Sequence, residues 1–146
     1  MKRILAFIAL ASFTLFSCSK EYSVEFVPTS LNGTWRMITV KDHISGLTIS
    51  KPSDLQGEVV ITFIPKSNTT GIFYGHTLTN QISKCNYTTG ANRLLSIPSL
   101  FMTKLAETSW GQEFVNNICT SIEYSFESNG NLIIRTTNRI LIFKRL

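Results

Sequence analysis

The side chains able to do chemistry are few: cysteines at 18, 85 and 119, histidines at 43 and 76, and nine dispersed carboxylates among 146 residues. A nucleophilic cysteine needs a histidine beside it to take its proton, and neither His43 nor His76 is near Cys85 or Cys119 in sequence. His43 follows Asp42, so a carboxylate could orient its ring, but the same two residues at a strand end also make an ordinary exposed loop. His76 stands among Tyr74, Gly75 and Thr77 without an acidic or cysteine neighbour, which suits a strand residue better than a metal ligand. No H-E-x-x-H, G-x-S-x-G or phosphate-cradling glycine loop occurs, and no pair of carboxylates can be nominated for acid and base roles. The expectation is a non-catalytic chain with no cofactor and no metal site.

Cys18 has a different setting. Met1-Lys2-Arg3 is a short basic start, and Ile4 to Phe16 is apolar apart from Ser12 and Thr14. That is the order of a secretory signal, a charged region followed by an apolar core of about 7 to 15 residues. Thirteen residues as a helix reach about 20 Å, short of the roughly 30 Å hydrocarbon core, so a spanning helix is not expected. Leu15-Phe16-Ser17-Cys18 resembles a bacterial lipobox, with Phe16 bulkier than is usual at its place. The resemblance implies cleavage before Cys18 and acyl chains on it, each buried methylene contributing about 0.8 kcal/mol of membrane affinity. Residues 1–17 are then a signal peptide, and 18–30, polar and interrupted by Pro28, a tether. Ser19-Lys20-Glu21 bears a faint likeness to the charged signals that follow the cysteine in surface-exposed lipoproteins of Bacteroidetes. The expected address is the bacterial outer membrane or cell surface, with the periplasmic face as the other option.

Removing 17 residues from 146 leaves 129, one domain with an adequate core. The formal charge of +5 falls to about +3 without Lys2 and Arg3, and the basic residues form no cluster of the kind nucleic acid requires. With Cys18 assigned to lipid, Cys85 and Cys119 remain as a pair in an oxidising compartment. A disulfide there closes 119 − 85 = 34 residues and contributes roughly 3 to 4 kcal/mol by chain-entropy reasoning. The alternative is two buried, unpaired thiols, and the sequence leaves both open.

Short runs rich in β-branched and aromatic residues, bounded by Gly, Asn, Ser and Pro, predict antiparallel strands over 31–40, 58–64, 71–78, 81–88 and 93–97. The period then changes: Trp110, Phe114, Val115 and Ile118 share one helical face, and Ser109 with Gln112 makes a capping box. Gly111 inside that helix is expected to weaken it by about 1 kcal/mol relative to Ala. Ile122, Tyr124 and Phe126 alternate with polar residues, and an Asn-Gly turn over 128–131 leads into strands over 132–135 and 140–143. The sum is an α+β, mostly antiparallel fold: a curved sheet or barrel of about eight short strands, with one helix before the last three.

On "LNGTWRMITV", "GHTLTNQISKCNY", "MTKLAETSWGQEFVNNI" and "LIIRTTNRILIFKRL" the chain resembles a META domain over 31–146, the family that includes the heat-shock protein HslJ. In the family pattern Trp35 opens the domain, Asn80 takes the place of the central Asn, Tyr87 that of the following Tyr, and Thr103-Lys104 that of the pre-helix element. Thr79 stands where the family carries a cysteine, so a family disulfide does not transfer to this chain. The resemblance implies an envelope or secreted protein, in some members linked to stress or drug tolerance, with no established catalytic residues and no named ligand; a single such domain is expected to be monomeric. A second likeness competes with it. Asn32-Gly33-Thr34-Trp35 resembles the Gly-x-Trp opening of the lipocalin superfamily, whose barrels hold a small apolar ligand and whose late arginine, Arg145 here, packs on that Trp. The helix before the last three strands departs from the lipocalin pattern.

Overall fold

A computed structural model describes residues 29–146. Cys18, the leader and most of the tether lie outside the described residues. Among the described residues nine strands occur: β1 (Gly33–Asp42), β2 (Thr48–Ser50), β3 (Val60–Pro65), β4 (Thr70–His76), β5 (Gln81–Thr89), β6 (Leu95–Ser96), β7 (Ser121–Phe126), β8 (Leu132–Thr136) and β9 (Arg139–Arg145). One α-helix, α1 (Ser109–Asn117), stands between β6 and β7. All pairings are antiparallel.

Strands β3, β4, β5 and β6 follow one another on one side of β1, and β9, β8 and β7 on the other, with the short β2 pairing the outer part of β1. A bridge between Leu94 and Glu123 brings β7 to the β6 edge, so the sheet curls into a nearly closed barrel. Each strand of the wall, β2 apart, lies beside its predecessor in sequence, and β9 returns to β1. This is an up-and-down barrel, which removes most of the unpaired edge that an open sheet would expose.

Alternation fills the interior. Ile61 and Phe63 of β3, Phe73 of β4, Leu132 and Ile134 of β8, and Leu141 and Phe143 of β9 point inward. In β1 the inward set is Trp35 and Met37, then Val40, because a bulge between Met37 and Thr39 inserts one residue and reverses the faces. A second bulge, between Phe73 and Gly75 of β4, shifts β5 so that Ile82 and Cys85, three apart, both face the core. Trp35, Trp110 and four phenylalanines are fully buried, so the barrel is filled by side chains. Phe63 meets Phe73 and Tyr87 at ring-centroid distances of 5.5 and 5.2 Å, and Phe114 of α1 meets Phe143 edge-on at 6.5 Å. The indole N–H of Trp110 is the one buried side-chain polar atom among the described residues without a partner. Leaving it so costs about 1 to 3 kcal/mol, which its packing must offset.

Candidate functional site

The two ends of the barrel differ. At the end carrying α1, a polar cluster joins the β4–β5 turn to the segment before the helix. The Asn80 side chain is 1% exposed. Its Nδ2 donates to the Leu105 carbonyl (3.0 Å), to Glu107 Oε2 (3.0 Å) and to Thr79 Oγ1 (2.9 Å). Its Oδ1 accepts from Thr103 Oγ1 (3.0 Å) and the Leu105 N–H (2.8 Å). Thr77 donates its hydroxyl to Glu107 and accepts the Asn80 N–H at 3.0 Å. Burial alone would raise the Glu107 pKa, but hydrogen bonds from Thr77, Asn80 and the Thr108 N–H outweigh it and hold the carboxyl below its ordinary range.

This carboxylate also explains Gly111. A Cβ at that position would lie inside van der Waals contact of the Glu107 carboxylate, so the glycine makes room for the acid that organises the helix start. The cap itself is Thr108, whose Oγ1 accepts the Gly111 N–H at 3.2 Å, one residue earlier than the predicted box from Ser109 to Gln112. At the same end Arg139 bridges Asp42 of β1 and Glu113 of α1, the latter at 3.2 Å. The Asn80 and Glu107 side chains are thus met by internal hydrogen-bond partners.

The opposite end is where β3, running from Val60 towards Pro65, turns into β4, and where the tether joins the barrel. A cleft of about 390 Å³ opens there. Pro65, Ser67, Asn68 and Thr70 of the β3–β4 turn form one wall. Ser30 and Leu31 form a second, and Tyr87, Thr89 and Tyr124 the floor and far side. The turn is held by its own bonds: Ser67 Oγ accepts the Thr70 N–H at 3.1 Å, its hydroxyl lies 2.8 Å from that of Thr70, and the Thr89 N–H donates to the Thr69 carbonyl at 2.8 Å. Leu31 is fixed from behind, its carbonyl accepting the Trp35 indole N–H at 2.8 Å.

Tyr87 is 3% exposed, and its hydroxyl has no hydrogen-bond partner among the described residues. The hydroxyl end of its ring lies over Gly71, its cross-strand partner, where a Cβ would collide with it. Burial, with a smaller contribution from the neighbouring Tyr124, pushes the Tyr87 phenol up, so it stays a neutral donor. Tyr124 is partly exposed and braced edge-on by Phe126 at 5.9 Å. The ring is buried while its hydroxyl opens on the cleft, so a ligand there can bond to it without competing with a protein partner.

The other residues singled out by the sequence fall as follows. Thr103 meets Asn80 directly, and its Oγ1 also accepts the Gln81 N–H at 3.0 Å. Lys104 is exposed and has no hydrogen bond or ion pair among the described residues. Trp35 is wholly buried, with the Arg145 guanidinium 5.7 Å from its ring centroid, a cation–π contact. Cys85 and Cys119 are free thiols. Cys85 is buried, with the Phe101 N–H donating to its Sγ at 3.2 Å; burial pushes its pKa up against that bond. Cys119 lies at the surface, and desolvation of its thiol raises its pKa with a further contribution from Cys85 nearby. Neither is an activated thiolate. The Asp42 carboxylate does not orient His43: it accepts the N–H groups of Ile44 and Ser45 and the Ser45 hydroxyl, and pairs with Arg139, while His43 stays exposed. His76 Nδ1 lies 3.1 Å from the Thr77 carbonyl. Among the described residues no group of three His, Cys, Asp or Glu side chains could hold a metal ion, and no helix is long and apolar enough to cross a membrane.

Asn80, Thr103 and Tyr87 stand out in the sequence as positions of a family pattern, whereas Glu107, Thr77 and Tyr124 do not stand out there. Glu107 carried a usable signal, an acid immediately before a Thr with Gly three residues on. Fold and site together define a small up-and-down β-barrel, plugged at one end by a helix and cleft at the other. No protein-family model matches the chain, and no curated protein matches it.

Proposed function

We propose that the chain is a lipid-tethered, non-catalytic binding barrel of the bacterial envelope, whose ligand sits in the end cleft between Tyr87 and Tyr124. The observation that carries this reading is the Tyr87 hydroxyl, which reaches the cleft from an otherwise buried ring and has no hydrogen-bond partner among the described residues. The tether follows from the lipobox at Cys18. Of the two resemblances, the lipocalin-like one draws support from the meander order of the strands and from Arg145 packed on Trp35. The META-like one draws support from the Asn80–Thr103 contact. A filled interior speaks for binding at the barrel end rather than for carriage of an apolar ligand inside.

Both halves of the reading are testable. Cys18→Ala should abolish metabolic labelling with palmitate, and persistent labelling contradicts the tether. For the cleft, the full chain in detergent is titrated with three kinds of probe: neutral disaccharides, charged sugars and a fatty acid. Binding of any of them that Tyr124→Ala removes supports the site, and failure of all three to bind contradicts it.

A further inference from the structure

The walls of the cleft carry a chemical selection. None of the described residues lining it is charged, so an ionic ligand entering it would lose hydration without gaining a counter-charge from them. A wholly apolar ligand fits no better: it would bury the Tyr87 hydroxyl, the Asn68 amide and the Ser and Thr hydroxyls of the rim against groups that cannot bond to them. What these walls offer is a mixture, with rotatable hydroxyls that serve as donor or acceptor on one side and Leu31, Pro65 and the Tyr124 ring as apolar surface on the other.

From this we infer that the cleft takes a neutral polyhydroxylated ligand, a short carbohydrate. The inference rests on the reading of the cleft as the binding site. A pyranose ring has the matching division: its equatorial hydroxyls accept and donate around the edge, and its C–H faces are apolar. The partly exposed Tyr124 ring, held by Phe126, is a flat platform for such a face. The Tyr87 hydroxyl, neutral and without another partner among the described residues, bonds to a sugar hydroxyl from the side. The cleft's 390 Å³ falls within the ordinary range of small-molecule sites, about 300 to 1,000 Å³, and suits one or two sugar rings. The β3–β4 turn needs no ordering on binding because its Ser67 and Thr70 bonds already fix it.

The test uses the full chain in detergent and measures heats of binding for maltose, cellobiose and lactose, with glucuronate and glucosamine as charged probes and palmitate as the apolar one. The expected result is weak binding of at least one neutral disaccharide, reduced about three- to tenfold by Tyr87→Phe, the loss of one hydrogen bond. Tyr124→Ala should reduce it about tenfold through loss of the ring platform. Near-ultraviolet circular dichroism establishes that both variants keep the fold. Binding of glucuronate, glucosamine or palmitate alone, sensitive to Tyr124→Ala, overturns the carbohydrate inference and leaves the cleft as a site. Sugar binding that neither variant changes overturns it too. If no probe binds, the inference and the reading beneath it fall together.

Discussion

Glu107 is the residue on which the helix end of the barrel turns. Its carboxylate gathers the Thr77 hydroxyl, the Asn80 amide and the Thr108 N–H, and its pKa is held below the ordinary value of 4.5. A depressed folded-state pKa contributes stability that is fully present above the unfolded value and is lost as pH falls through the folded one. Glu107→Gln should therefore cost about 1 to 3 kcal/mol at neutral pH, with the gap from wild type closing in acid below the ordinary Glu pKa. Denaturant unfolding across pH checks this, and a gap that stays constant into acid contradicts the role given to the carboxylate. Thiol chemistry belongs to the same scale. With Cys85 and Cys119 free, titration of the denatured, unreduced mature chain should find both thiols, and titration of the native chain only the surface Cys119. A count of zero after denaturation contradicts the free-thiol state and establishes the 85–119 disulfide.

At the scale of elements, much was legible because alternation and turn chemistry are local. The hairpin β7–β8 follows from Ile122 to Phe126 and the Asn-Gly turn, and β3 ends at Pro65 as its sequence requires. What was not legible depends on contacts across the fold. β2 is exposed along its three residues and without a buried face, so only its pairing with the outer part of β1 makes it a strand. The faces of β1 reverse at a bulge that no local pattern announces. The Asn80 cluster joins residues 23 to 30 positions apart and forms only when the β4–β5 turn meets the pre-helix segment. The helix cap moved from Ser109 to Thr108 because Glu107 turns the chain into the helix one residue earlier. Thr108→Ala should lower stability by about 1 kcal/mol, while Ser109→Ala should leave it nearly unchanged. Equal losses from the two variants would contradict the placement of the cap.

For the barrel as a whole, over the described residues, a filled interior and asymmetric ends leave the end cleft as the place for the proposed ligand. Helix α1, the Asn80 cluster and the Arg139 bridge close one end with polar groups bonded to one another. At the other end a cleft is left between the β3–β4 turn, Leu31 and the two tyrosines. Of that site the sequence showed only Tyr87, and for another reason, because Tyr124 reads as an ordinary inward residue until the barrel curls and sets the two rings together. The most direct measurement is amide chemical-shift mapping of the isotope-labelled chain titrated with maltose, cellobiose and lactose. The expected shifts gather at residues 30–31, 66–70, 87–89 and 124. Shifts centred instead on the core around Phe63, Phe143 and α1, or the absence of any shift at the cleft, would contradict it.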